Sequence, residues 1–542
     1  MAKKRIKKSL DPVAFTGKGS SARLVAEPNV YDPANLSVED FMVSRSYVVN
    51  VENKSKYPIS KADYKKLKLQ ASKPTRSAGL AFIDAAPDAD EEILLPGIDL
   101  PEDGMGAAGP MPLAPAIAAS FTGLGATAFQ PPDCTVAVGK QDVVVGVNVE
   151  MAGYKKTGAL RFRWPGFTTL FRAVTPNGAQ LFDPKLIYDH YADRYVAVVA
   201  ARTPNQGSWL MVGATQSNDP GGRWWVYALN ASVDGSTATA NWADYPMVGF
   251  DEKGIYISTN QFKWTGGFSH AKLRTLIKAE LYAGAPVHWY DFWGLTNNDG
   301  SQAFSVQPCC HFRAAGNNTP VYMVSAIWPS ASNLTQWNLT NATLWLSGST
   351  PSLSRSKVPC RKYELPPDAD QPSSTNNIET NDTRLLNAIY QHAGNKRSIW
   401  TCQTSKHTWA GESTARSVVQ WYEINASTST VVQQNAYGAK GRYYYFPVIQ
   451  TDSLGNAFLV FTRSGSTELP CLRATGRKTS MPANDLEGSL LVKAGESAYN
   501  GSRWGDYFGI CRDGADPRTV WGYGEYAESG GNWGTWIVAM RY

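Results

Sequence analysis

Four aspartates and three arginines are the residues best placed to do chemistry in this chain of 542 residues. Asp133, Asp183, Asp244 and Asp506 each open a recurring β-like unit. Arg384, Arg442 and Arg503 stand at or just before the openings of three later units. Units arranged about one axis bring the four carboxylates to one funnel. Converging carboxylates repel, so they need a cation, positive neighbours or hydrogen bonds from turn amides. Two readings follow. Either the aspartates hold a Ca2+-like ion or a cationic ligand at the channel mouth, or each bonds backbone amides of the neighbouring unit's first turn. The arginines divide in the same way. They form a ligand-binding clamp for a carboxylate, with Asp506 marking the mouth where the ligand sits, or they simply pair with the opener aspartates.

Other chemistry finds little support. The six histidines include no HExxH spacing, and there is no Walker loop, no GxGxxG after a strand and no GxSxG elbow. Seven cysteines include no CxxC pair, which argues against zinc. Adjacent Cys309 and Cys310 point to opposite faces of a strand. Buried free thiols are the default, and a bridge from either to Cys360 is the alternative. No organic cofactor is expected.

The composition belongs to an all-β protein. Charged residues are 18% and aromatics 12%, with 18 Trp, 26 Tyr, 47 Gly and 32 Pro. The length exceeds one ordinary compact domain unless the fold is built by repetition. The net charge of +6 is carried by residues 1–24, where Lys3, Lys4, Arg5, Lys7, Lys8, Lys18 and Arg23 outnumber Asp11. That tail reads as a solvated terminus or as a binder of anionic surfaces. No basic patch interleaved with aromatics follows, so no nucleic-acid partner is expected. There is no run of 18 apolar residues and no apolar core behind the basic start, so neither a membrane span nor a secretory signal is expected.

Residues 1–115 read as a largely irregular N-terminal arm. It holds the basic tail, a strand over 41–51, a short helix capped by Ser60, and a tether rich in Pro, Gly and Ala. Between Phe82 and Gly104 lie eight acids and no base, a stretch suited to a basic surface of this or a partner chain. Residues 116–542 repeat one unit. Its openers at Asp133, Asp183, Asp244, Gln307, Arg384, Tyr445 and Asp506 follow at intervals of 50–77 residues. Four β-like runs per step predict a seven-bladed β-propeller with four-stranded blades, against a pair of β-sandwiches as the competing arrangement. The last unit has three strands, and the segment Ala116–Leu124 is the natural donor of the fourth.

Two sets of residues carry a resemblance. Ser217-Asn218-Asp219-Pro220-Gly221-Gly222-Arg223-Trp224 resembles the Asp-box of sialidase-like propellers. There Asp219 bonds amides of its own turn, Gly221 permits positive φ and Trp224 packs between blades, while Arg223 stands where Thr is usual. Pro131-Pro132-Asp133, Phe182-Asp183-Pro184, Asp244-Tyr245-Pro246 and Trp504-Gly505-Asp506-Tyr507 are similar to a group of exported bacterial propellers of mostly unassigned activity, often joined to adhesion or anchoring modules. The resemblance covers residues 116–542. It implies a surface or extracellular place and a binding or assembly module. Such a module docks to a protein or glycan partner through the channel mouth, with the N-terminal arm as docking element. The sialidase likeness implies an alternative, a glycoside hydrolase with the three arginines on a carboxylate, Tyr507 or Tyr443 as nucleophile and Asp133 as acid. A self-assembling shell or appendage component is the third reading.

Overall fold

The computed structural model describes residues 13–14, 18–21, 25–35, 56–74, 115–313, 319–501 and 503–542. The chain is an all-β propeller. Antiparallel meanders follow one another in sequence, and their first strands surround a common channel. Those first strands are Thr135–Val138, Gln180–Asp189, Asn241–Phe250, Gln307–Pro308 with Cys310–Phe312, Leu385–Ala393, Arg442–Thr451 and Gly509–Arg512. Residues from each of them line one central cavity of about 90 Å³.

The repeated aspartyl–prolyl and aromatic–prolyl pairs explain how these strands start. Asp183, Tyr245 and Phe446 are left-handed, with φ of 53°, 53° and 54°. Each is followed by a proline, and each ladder shifts register at that point. Proline cannot donate to a ladder, so it is tolerated where a bulge has already interrupted pairing. Asp133 and Ser305 are left-handed at their own openings.

Among the described residues, four strands and one α-helix come before the first meander. They are β1 (Val13–Ala14), β2 (Lys18–Ser21), β3 (Asn29–Tyr31), α1 (Lys61–Ala71) and β4 (Ala116–Thr122). β4 pairs antiparallel with Asn532–Arg541, so the last meander gains a fourth strand from the segment before the first. β3, β2 and β1 add themselves to the outer edges of three consecutive meanders, at Trp224–Val226, Tyr290–Trp293 and Ser354–Arg355. Where it is described, the arm forms these edge strands and a helix. Its short strands carry little pattern of their own and form because an unpaired sheet edge offers them partners. The expected strand over 41–51 and the acid-rich stretch lie outside the described residues.

Nor are the sheets all four-stranded. Six sheets have four or more strands among the described residues, two of them with five. One has ten, because Cys310–Phe312 pairs in parallel with Phe250 on one side and Ile389–Gln391 on the other. All seven cysteines are free. Cys309, in the break between Gln307–Pro308 and Cys310–Phe312, is buried in the core, whereas Cys310 faces the channel.

Candidate functional site at the channel mouth

A relay of side chains onto turn amides builds the mouth of the channel. Asn148 Oδ1 accepts from the Asp183 N–H at 2.8 Å, and Asp183 Oδ2 from the Tyr245 N–H at 3.1 Å. Asn260 and Thr404 do the same for Ser305 and Phe446. Asp133 Oδ1 accepts from the Asp506 N–H at 2.8 Å, and its other oxygen accepts from Asn148 Nδ2 at 2.5 Å. A left-handed residue at a bulge has no ladder partner for its N–H, and the neighbouring side chain supplies one. Asn148→Ala removes the bridge between two units and orphans the Asp183 N–H. It is expected to cost about 1–3 kcal/mol, read from urea unfolding.

The relay also gathers charge. Oxygens of Asp133, Asp183 and Asp506 lie within 4.8 Å of one another, and all three residues are buried. At an effective dielectric of ~20, each ionised pair at that distance repels by roughly 3–4 kcal/mol. Burial, then the charges of Asp506 and Asp183, push the Asp133 carboxyl well above its ordinary range. Burial and then Asp506 lift Asp183 to about 6. Burial opposes ionisation of Asp506 too, but Lys56, Arg503 and Arg384 outweigh it and hold that carboxyl well below the usual range. Asp244 is not in the trio. In its unit Tyr245 takes the left-handed position, which sets Asp244 one residue earlier. Burial, then Asp183 and Asp506, raise it to about 8 against Arg202 and Arg384.

The arm covers this mouth. Lys56 Nζ lies 2.6 Å from Asp506 Oδ1, and Arg503 Nη2 is 2.9 Å from Asp506 Oδ2. Tyr57 donates to Glu379 and stacks on Tyr64 with ring centroids 3.6 Å apart. α1 starts where Ser60 Oγ accepts from the Asp63 N–H at 3.1 Å. One turn spacing then places Tyr64, Lys68 and Ala71 on one buried face. Tyr64 donates to the Asn381 carbonyl at 3.0 Å. Lys68 Nζ donates to the carbonyls of Pro366 at 2.7 Å and Asn381 at 2.9 Å and pairs with Asp368 at 2.9 Å. At the outer rim, Arg223 binds Asp32 of the arm at 2.5 Å. The residue that departs from the Asp-box pattern thus anchors the arm. In the same turn Asp219 Oδ1 accepts from the Gly221 N–H at 2.9 Å, and Trp224 is buried against Trp164. Gly221 itself is not left-handed, contrary to expectation.

The arginines do not meet as three. Arg384 is buried in a two-pronged pair with Asp382 at 2.8 and 2.9 Å, its guanidinium 4.6 Å from the Tyr245 ring. Arg384 and Arg503 both act on Asp506. Arg442 instead pairs with Glu468 at 3.2 Å and bonds Thr467 at 3.0 Å. Tyr507 donates to the Pro184 carbonyl at 2.8 Å, and burial raises its phenol well above the ordinary value. Burial and then Asp370 push Tyr443 up to about 12, and its hydroxyl faces Asp370 at 3.2 Å. Neither phenol is set to ionise near neutral pH.

Three groups at the mouth stood out little in sequence. Lys56 is one. Glu525 is fully buried, neither carboxylate oxygen has a hydrogen-bond partner, and burial, then Asp133 and Asp506, push it well above its ordinary range. Lys185 points down the channel with its ammonium 2.9 Å from the centre of the Tyr507 ring, and burial lowers it to about 7.

Neither a family model nor a curated protein matches the chain. Solved structures do resemble it. A protein of unknown function from Dyadobacter fermentans DSM 18053 has 9% identity and a TM-score of 0.35, over 68% of this chain and 96% of that one. Trypanosoma rangeli sialidase in complex with sialic acid has 11% identity and a TM-score of 0.33, over 71% of this chain and 56% of that one. The GH93 α-L-arabinofuranosidase of Fusarium graminearum with arabinobiose has 8% identity and a TM-score of 0.28, over 64% of this chain and 89% of that one. Likeness this remote bears on neither activity nor ligand.

Proposed function

We propose that the protein is a binding and assembly module that docks to a protein or glycan partner at a cell or particle surface through its channel mouth and N-terminal arm. The observation that carries this reading is the arm itself. It runs along three sheet edges, is pinned by Arg223 and Lys68, and sets Lys56 among the mouth carboxylates. On this reading the ten-stranded sheet is two blades joined near the axis. The propeller then has seven blades, and the 217–224 turn is an Asp-box. A glycosidase is less favoured, since Arg442 is committed to Glu468 and both tyrosines are held as neutral phenols.

Deleting residues 1–110 tests the proposal. The shortened protein keeps β4 and is expected to stay folded and soluble by circular dichroism and size exclusion. It is expected to lose higher-order assembly and to leave the particle or envelope fraction of its native source. A truncated protein that still fractionates with the full chain would overturn the reading.

A further inference from the structure

Three buried carboxylates meet at the mouth beside the propeller's own Arg503, Arg384 and Lys185 and the arm's Lys56. Asp133, Asp183 and Asp506 present oxygens within 4.8 Å of one another. Ca2+ binds oxygens at about 2.3–2.6 Å, so ligands on opposite sides of one ion stand about 4.6–5.2 Å apart. The separations of the trio's oxygens fall within that span, and the Lys56 ammonium on Asp506 is what an ion has to displace. Its donors are all hard oxygens, which suits Ca2+ and does not suit a thiolate- or imidazole-seeking metal.

Two further polar groups point the same way. Glu525 is 0% exposed, both its oxygens lack a partner, and its charged neighbours are Asp133 and Asp506. Asn381 is 2% exposed and its Nδ2 is 3.4 Å from Asp506 Oδ1, while its own Oδ1 has no partner. Buried carboxylate and amide oxygens left without donors are rare in folded proteins, and an ion is one of the few things that satisfies them.

We propose that Asp133, Asp183 and Asp506 form a divalent-cation site of the Ca2+ type, and that Lys56 of the arm is its built-in competitor. This deepens the binding reading above by naming the chemistry of the mouth, and it does not depend on which partner docks. The ammonium and the ion exclude each other at Asp506 Oδ1, which Lys56 Nζ occupies at 2.6 Å. The Lys56 side chain keeps 19% of its surface exposed, so it can swing to water while Tyr57 and α1 stay in place. Cation binding therefore frees the first contact between arm and mouth.

Tb3+ serves as the probe, because it takes Ca2+ sites and is sensitised by nearby tyrosines. The Tyr245 hydroxyl is 3.3 Å from the Asp506 carbonyl. In the full chain, Lys56→Met is expected to tighten Tb3+ binding about tenfold, and Asp183→Asn to weaken it by about tenfold or more. Ca2+ is expected to quench the emission by displacement. Glu525→Gln, which keeps shape and removes charge, is the second probe and is expected to weaken binding if Asp183→Asn does not fold. Equal Tb3+ affinity in the parent, Lys56→Met and Glu525→Gln proteins, or emission that Ca2+ does not displace, overturns the site. These readouts are independent of fractionation, so the cation site and the docking reading fail separately.

Discussion

Asp382→Ala is expected to destabilise the protein by about 3–5 kcal/mol. Asp382 is fully buried and accepts from the Arg384 N–H, from both prongs of the Arg384 guanidinium and from Trp328 Nε1. Arg384 is itself 1% exposed and cannot reach water when its partner goes. Most of the cost is the unpaired guanidinium, not the lost bonds. Replacing both residues by Leu and Met is therefore expected to recover most of the loss, because it removes the charge with its partner. Urea unfolding of the three proteins checks this. A single Asp382→Ala loss under about 1 kcal/mol would show that water or Asp506 compensates Arg384.

The second large effect separates two truncations that differ only by the segment 111–124. Removing residues 1–110 leaves β4, whereas removing residues 1–124 takes it away. β4 closes the ring through the pairs from Thr122–Trp536 to Ala116–Arg541, and Leu124 is buried beside Tyr523 and Ile537. Thr535 Oγ1 also donates to the Leu124 carbonyl at 2.5 Å. Without that strand Asn532–Arg541 becomes an open edge of ten residues and the ring is no longer closed. The longer truncation is expected to lose its cooperative thermal transition and to aggregate. A soluble monomer lacking residues 1–124 that melts with the 1–110 deletion would refute closure by β4.

What the sequence made legible was local or repeated. The Asp–Pro and Tyr–Pro pairs mark left-handed openers at bulges, and the amide-bonding role of Asp133 and Asp183 follows from that geometry. Ser60 announced α1. Other features depend on partners far along the chain. Nothing near Lys56 indicates that it meets Asp506, and β1, β2 and β3 are too short to show a period. Asp244 looked equivalent to Asp183 because the motif slides by one residue, which only the backbone conformation reveals. The grouping of Arg384 and Arg503 without Arg442 has the same origin. Arg442 has Glu468 within reach at the start of the third strand of its own meander, so a local partner wins over a shared funnel.

The belt formed by β3, β2 and β1 runs backwards relative to the meanders it touches. Asn29 pairs with Val226, Lys18 with Trp293, and Val13 with Arg355. During synthesis, the arm leaves the ribosome long before any of its edges exist. The earlier a residue of the belt is made, the longer it waits. For that interval three sheet edges and three short strands stay apart, with the loop-closure cost of distant pairing still unmet. A belt of this kind is a late fastening. It locks a propeller already folded, and an arm that waits unpaired is free to find the edges of another copy first.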